Sequence, residues 1–340
     1  MILFDNSQKE SLIEFGIEIP VLYSRVINTF EFLKSHAILG PKHDQWHIGK
    51  IDETISRDDL QRVHSGEYIK KLFSAGLEKE IINTFELIDK AGNYYRYNPH
   101  RATLPLTQLF DRILNIVAAT VQCCRVALVK EFCFAFSGGM HHGQYAYGDG
   151  FCMVNDIVVA IRKLQAEGVI GTAWVIDIDA HKGDGTAALT KGDDSITTLS
   201  IHMANGWPLD SDEYDADGNF NPSFTPSDID IPMAKGKDDQ YIPRLQEGLN
   251  QLDRWPHPDL ALVVSGADPY FKDELTSTSD MKLSLAQLKE RDLLTYNFLK
   301  ERDIPRAYLM AGGYGESCWE VYAQFLEWAL LDNLNSLKII

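Results

Sequence analysis

The sequence predicts a single doubly wound α/β domain with a mainly parallel central sheet, and three observations predict it. Short apolar, β-branched runs alternate with longer segments of helical periodicity along the chain. Four of those runs end in polar or glycine-rich turns, the arrangement by which parallel sheets gather ligands at their carboxyl edge. No Pro-, Gly- or Ser-rich linker divides the 340 residues and no repeat recurs, so one large domain over 1–340 fits better than two.

Composition narrows the function classes. A hydrophobic content of 45% supports a sizeable core. The formal net charge of −17 argues against nucleic-acid binding, which calls for a basic surface, and is compatible with a cationic substrate. No basic leader precedes a long apolar stretch, and no run of about 18 apolar residues occurs, so no membrane span is expected. Five cysteines without a regular framework read as free thiols in a reducing compartment. The expectation is a soluble cytoplasmic protein.

Taken in order, Ile2–Phe4 reads as an edge strand, Ile27–Leu33 as a helix and Glu67–Leu77 as a second helix capped by Ser65. His64 beside that cap reads as structural. Asn93–Arg101, with Tyr94, Tyr95 and Tyr97, is a polar aromatic loop. Leu109–Leu128 has the periodicity of a helix covering a sheet, with Cys123 and Cys124 as packing residues. Phe132–Phe136 is a strand ending in Ser137-Gly138-Gly139-Met140-His141-His142-Gly143. A helix over Asn155–Ala166 stops near Gly168.

The informative centre follows. Thr172–Ile178 is a buried strand that runs into Asp177-Ile178-Asp179-Ala180-His181-Lys182-Gly183-Asp184-Gly185. Gly183 and Gly185 are expected to let the chain turn off the sheet. A helix near Thr186–Thr190 and a strand at Ile196–Ile201 come next. Met203–Pro232 reads as a long surface loop, in which Glu213, Asp215 and Asp217 have only a superficial calcium-loop spacing because Phe224 stands where a bidentate glutamate is needed. Tyr241–Leu252 is a helix. Leu260–Val264 is a strand ending in Gly266-Ala267-Asp268. Ser284 and Gln287 form a capping box. Ala307–Met310 is a strand ending in Ala311-Gly312-Gly313-Tyr314, and Cys318–Leu330 is the last helix.

Buried carboxylates at strand ends are costly unless compensated. Asp179, His181 and Asp268 would give a divalent metal two oxygens and one nitrogen and leave a position open. Zinc and iron both suit that donor set. His141 and His142 have side chains suited to acid–base work, with Asp177 and Asp184 available to fix their tautomers. Tyr314 could donate to an oxyanion.

In order and spacing these segments resemble the zinc-dependent histone deacetylase and acetylpolyamine amidohydrolase superfamily, of arginase/deacetylase three-layer fold; the likeness is strong over 55–320. It implies that Asp179, His181 and Asp268 bind zinc, that His142 paired with Asp184 is the general base and then acid, and that His141 paired with Asp177 orients water. It further implies that Tyr314 polarises the acyl carbonyl and that the Gly150 carbonyl accepts the substrate amide N–H. Phe151 matches one wall of an acyl-lysine tunnel, and Trp207, before Pro208, is the candidate for the other. A K⁺ or Na⁺ site at Asp177, Asp179, His181 and Ser200 is implied as well. The implied substrate is an acyl-lysine or a small acylated amine such as a polyamine; a protein-lysine deacetylase, a related acyl transformation in acetoin metabolism and a non-catalytic binding protein are the alternatives. Some members form homo-oligomers, and this chain has no coiled coil. Departures are Lys182 in place of a second histidine, expected to point away from the metal, and Ala311 in the glycine run. Pro20 and Arg25 are a loose echo of an N-terminal motif, and Asn98 lies where an acidic rim residue is usual.

Overall fold

The computed structural model describes residues 1–6 and 11–336. Among the described residues eight strands form one sheet: β1 (Ile2–Leu3), β2 (His47–Ile48), β3 (Phe132–Ala135), β4 (Ala173–Asp177), β5 (Ile196–Met203), β6 (Ile229–Met233), β7 (Leu260–Ser265) and β8 (Arg306–Met310). Their order is β2-β1-β3-β8-β7-β4-β5-β6, and every pairing is parallel. After β3 the chain crosses to β4, and β7 and β8 later fill the gap. The four strands that carry the polar tips, β3, β8, β7 and β4, are therefore consecutive neighbours. That topology, rather than proximity in sequence, brings the tips together.

Parallel strands buried on both faces need apolar side chains above and below. In β4, Trp174 and Ile176 pack on one face with the helices Ser24–Ser35, Tyr241–Leu252, Leu285–Lys300 and Trp319–Ser336. Ala173 and Val175 pack on the other face with Leu109–Lys130 and Asp156–Ala166. Leu109–Lys130 lies within the one segment, among the described residues, that is long and apolar enough to cross a membrane. Its Ala119, Val121, Cys123, Cys124 and Ala127 are buried in the core against the sheet. A third cluster, including Leu60, Tyr68, Ile81, Phe85, Met153 and Val158, supports the loops at the carboxyl edge.

Ser65 accepts the Tyr68 N–H as a cap, and Ser284 and Gln287 complete their reciprocal box. Four expectations change. Ile2–Leu3 is interior, paired with both β2 and β3. The expected helix over 67–77 is two helices, Gly66–Leu72 and Leu77–Thr84, separated at Ser74-Ala75-Gly76. The 203–232 loop gives way at its end to β6, whose Asp230 and Pro232 disguise an edge strand that pairs only with β5. Gly183, with φ −74°, is not needed for an unusual turn; a β-carbon there would sit 2.2 Å from Asp177 Oδ2, so the requirement is space. Asp215 accepts the N–H groups of Asp217 and Asn219, so the acidic stretch is an exposed turn closed on itself.

Candidate metal centre and active site

Beyond the last paired residue of β4, backbone N–H groups take over from the sheet ladder. Asp179 N–H donates to Asp177 Oδ1 (3.1 Å) and His181 N–H to Asp179 Oδ1 (3.0 Å). Ala180 N–H donates to Asp268 Oδ1 (3.1 Å), and Gly312 N–H to Asp179 Oδ2 (2.9 Å). The tips of β4, β7 and β8 are thus tied through the carboxylates themselves. His181 Nδ1 lies 3.1 Å from Asp268 Oδ2 and 3.4 Å from Asp179 Oδ1. One donor atom from each of Asp179, His181 and Asp268 falls within 4.8 Å of the others, and all three residues are buried. Two carboxylates this close, cut off from water, repel each other strongly. A dication among these O, O and N donors removes the repulsion, so the residues fit a metal with three protein ligands.

The two histidines stand alongside. His141 Nδ1 is 2.7 Å from Asp177 Oδ2, and His142 Nδ1 is 2.7 Å from Asp184 Oδ1. Their rings lie 3.9 Å apart, and His141 Nε2 is 3.8 Å from Asp179 Oδ1. Asp156, at the start of its helix, accepts the N–H groups of Gly139 (3.0 Å) and Met140 (2.6 Å) and the Thr120 hydroxyl, which fixes the turn that delivers both rings. Tyr314 is delivered from β8. Its N–H donates to Asp273 Oδ2 (2.7 Å), while Arg25 donates to the carbonyls of Ala311 (2.8 Å) and Gly313 (3.0 Å).

A cavity of about 220 Å³ is lined by Gly150, Phe151, His141, His142, His181 and Tyr314, and it continues inward to Arg25 and Arg112. Phe151, with φ +67°, stacks on Phe85 at 6.0 Å and stands 6.5 Å from the Tyr314 ring. The Arg96 guanidinium lies over Phe151 and pairs with Glu86. Trp207 is not part of that lining; its ring packs on His142 at 4.4 Å and His181 at 5.4 Å. Ser200 pairs in register with Asp177, and its hydroxyl bonds His202 Nδ1 at 3.0 Å. Lys182 turns to Asp230 on β6, 3.2 Å away, and is buried there. Asn98 caps a short turn at Pro99–Arg101 and accepts the Arg101 N–H.

A model of the histone deacetylase domain matches residues 20–328. The chain belongs to the histone deacetylase family. Among relatives of the deacetylase domain, an uncharacterized protein of Picosynechococcus is 29% identical over 208 residues, 61% of this chain and 64% of that protein. Histone deacetylase 2 of Arabidopsis thaliana is 28% identical over 276 residues, 80% of this chain and 65% of that one. The acetoin utilization protein AcuC of Bacillus subtilis is 24% identical over 316 residues, 90% and 75% of the two chains. The chain spans just under two thirds of the length of the first two relatives. The buried Asp179–His181–Asp268 cluster falls within the matched residues.

Electrostatics separates the roles of the deacetylase residues. Burial works against charge on His141, but the carboxylates of Asp177 and Asp179 outweigh it and raise the imidazole to about 9. Burial, helped by the neighbouring His141 charge, lowers His142 to about 4 despite Asp184. The two rings are driven in opposite directions, His141 toward the cation and His142 toward the free base. Without metal, burial and the charge of Asp179 push Asp268 up to about 7, and His181 is lifted to about 10 by the two carboxylates against the effect of burial. Cation binding must therefore release protons. Burial, then Asp268 and Asp179, holds Tyr314 well above the usual phenol range, so it keeps its proton and can donate it.

Several residues at this site escape sequence reasoning. Gln144 and Ser223 donate to Asp184 Oδ2 at 2.8 and 2.7 Å, and Ser277 Oγ lies 3.1 Å from His181 Nε2. Asp273 holds the Tyr314 N–H from far along the chain, as Arg25, in sequence a loose echo of an N-terminal motif, holds the Ala311 and Gly313 carbonyls. The chain does offer one signal, Asn155-Asp156, separated by two residues from Gly150-Phe151-Cys152.

Proposed function

We propose that this protein hydrolyses the amide of an acylated primary amine, acetyl-lysine or an acetylated polyamine, releasing a short carboxylate and the free amine. The observation that carries the reading is the pair of histidines, each on its own buried carboxylate and both beside the Asp179–His181–Asp268 cluster. Zinc, or iron, bound there would polarise the acyl carbonyl and acidify a water. His142 Nε2 takes the proton of the attacking water and returns it to the amine nitrogen as the C–N bond breaks. Asp184 holds the His142 tautomer by accepting from Nδ1. His141 stays protonated and offsets charge growing on the acyl oxygen, toward which Tyr314 donates its O–H. The Gly150 carbonyl accepts the amide N–H, and Phe151 flanks the methylene chain, while Trp207 buttresses His142 and His181.

A second, monovalent cation (K⁺ or Na⁺) near Asp177, Asp179, His181 and Ser200 belongs to the same proposal. The name of one relative, a histone deacetylase, supports acyl chemistry without choosing the amine. Five free, buried cysteines support a reducing, cytoplasmic setting.

The test is a panel of acetyl-lysine peptides, N-acetylputrescine and N-acetylspermidine offered to protein stripped of metal and then reloaded with zinc or ferrous iron. Turnover should appear on reloading and fall at least about 100-fold in His142→Ala. A reloaded protein inert toward the whole panel, or a fully active His142→Ala, contradicts the reading.

A further inference from the structure

Arg291, on the helix Leu285–Lys300, is completely buried and far in sequence from every residue of the site. Its Nη1 donates to two carbonyls at once, Ile178 at 3.0 Å and Gly266 at 2.7 Å. These carbonyls lie one residue before Asp179 and two before Asp268. They also lie just beyond the β4–β7 register, which ends at Asp177 and Val264 and is extended only by the Ile178 N–H to Val264 carbonyl bond. Past that point the sheet no longer sets the spacing of the two ligand-bearing tips.

Arg291 is neutralised by its neighbour Asp292, whose Oδ1 is 2.8 Å from both Nε and Nη2. A buried ion pair of this kind rarely adds stability over apolar residues of the same volume, so stability alone is a weak reason for a guanidinium here. A charged nitrogen that donates to a carbonyl of each tip is a reason that a hydrophobe does not meet and that lysine, with a shorter and more flexible reach, meets only in part.

We propose that Arg291 is a positioning residue that sets the separation of the Asp179 and Asp268 carboxylates, and thereby the affinity of the site for its divalent cation. This rests on the reading of Asp179, His181 and Asp268 as metal ligands. It assigns the buried pair a task in metal binding rather than in the chemical step.

Removing one partner of a buried pair can unfold a protein, so the informative variant is the double one, Arg291→Met with Asp292→Leu, set beside Arg291→Lys. Each is stripped of metal and two quantities are measured: the thermal midpoint of the metal-free protein, and zinc affinity by competition with a chromophoric chelator. Partners behind metal ligands are typically worth roughly 10–100-fold in affinity. The double variant should lose that much while its metal-free midpoint stays within a few degrees of the parent. Arg291→Lys, which keeps the charge, should recover part of the loss. Unchanged zinc affinity in the double variant overturns the proposal, as does an affinity loss that merely follows a loss of metal-free stability in both variants. Failure of the parent protein to take up zinc refutes the metal reading itself, and this proposal with it.

Discussion

Gly312 offers the sharpest perturbation of the ligand cluster. A β-carbon built on it would lie 2.5 Å from Asp179 Oδ2 and 2.5 Å from Asp268 Oδ2, while contacts under 3.0 Å essentially never occur. Both carboxylates would have to retreat by at least about half an ångström, against a tolerance of about 0.2 Å for metal–ligand distances. They have little room to do so: Asp179 holds the Gly312 N–H and Asp268 the Ala180 N–H. Gly312→Ala should therefore weaken zinc binding at least about 100-fold, or about 2.8 kcal/mol. Gly312 has no positive φ, so alanine carries no backbone strain of its own. Gly66→Ala is the control, because nothing lies within 4 Å of its added carbon. The assay is chelator competition on metal-stripped protein, with circular dichroism confirming the fold. Zinc affinity in Gly312→Ala within threefold of the parent would refute the steric reasoning.

Further outcomes follow from the same geometry. Tyr314→Phe should cost about 2.7–4 kcal/mol in kcat, roughly 10²–10³-fold, as for loss of an oxyanion donor; zinc affinity should be unchanged, and a variant turning over at the parental rate would remove Tyr314 from the mechanism. Buried His64 places Nδ1 2.8 Å from the Gln144 carbonyl and accepts the Asn155 N–H at Nε2, and burial lowers it to about 4. Because its folded pKa lies below the ordinary 6.5, its contribution to stability is complete above pH 6.5 and is lost as pH falls toward 4. At about 1.36 kcal/mol per pH unit, that is about 3 kcal/mol. Urea midpoints of parent and His64→Gln should converge over this window, and parallel curves would contradict the assignment. His142→Ala should lower kcat roughly 10²–10⁴-fold without loss of zinc; a matching loss of zinc would show that the imidazole supports the metal rather than the proton.

What could be read from the chain before folding was whatever is local. β4 announces itself because an apolar, β-branched run ends abruptly in carboxylates. Ser284 with Gln287 signals a helix start within four residues. The tips His141-His142, Asp179-His181, Asp268 and Gly312-Gly313-Tyr314 could be picked out for the same reason, and the order β3-β8-β7-β4 explains how they meet. What could not be read depends on partners distant in sequence. β6 carries Asp and Pro, which look like loop until β5 is known to lie on one side only. Gln144, Ser223, Asp273, Ser277 and Arg291 are ordinary polar residues in sequence, and only the folded chain shows that each holds another group of the site. Gly183 and Gly312 look in sequence like glycines of a turn or run, yet the fold requires them for the space that a side chain would take from a carboxylate.

The central claim is that one divalent cation at Asp179, His181 and Asp268 makes the protein an amide hydrolase. Titrating the metal-stripped protein with zinc while following acetate release from the best substrate of the panel tests it most directly. The rate should climb linearly to one equivalent and then level off, with no response in Asp268→Asn. Full turnover before any metal is added, or a rate that breaks at two equivalents, would contradict it.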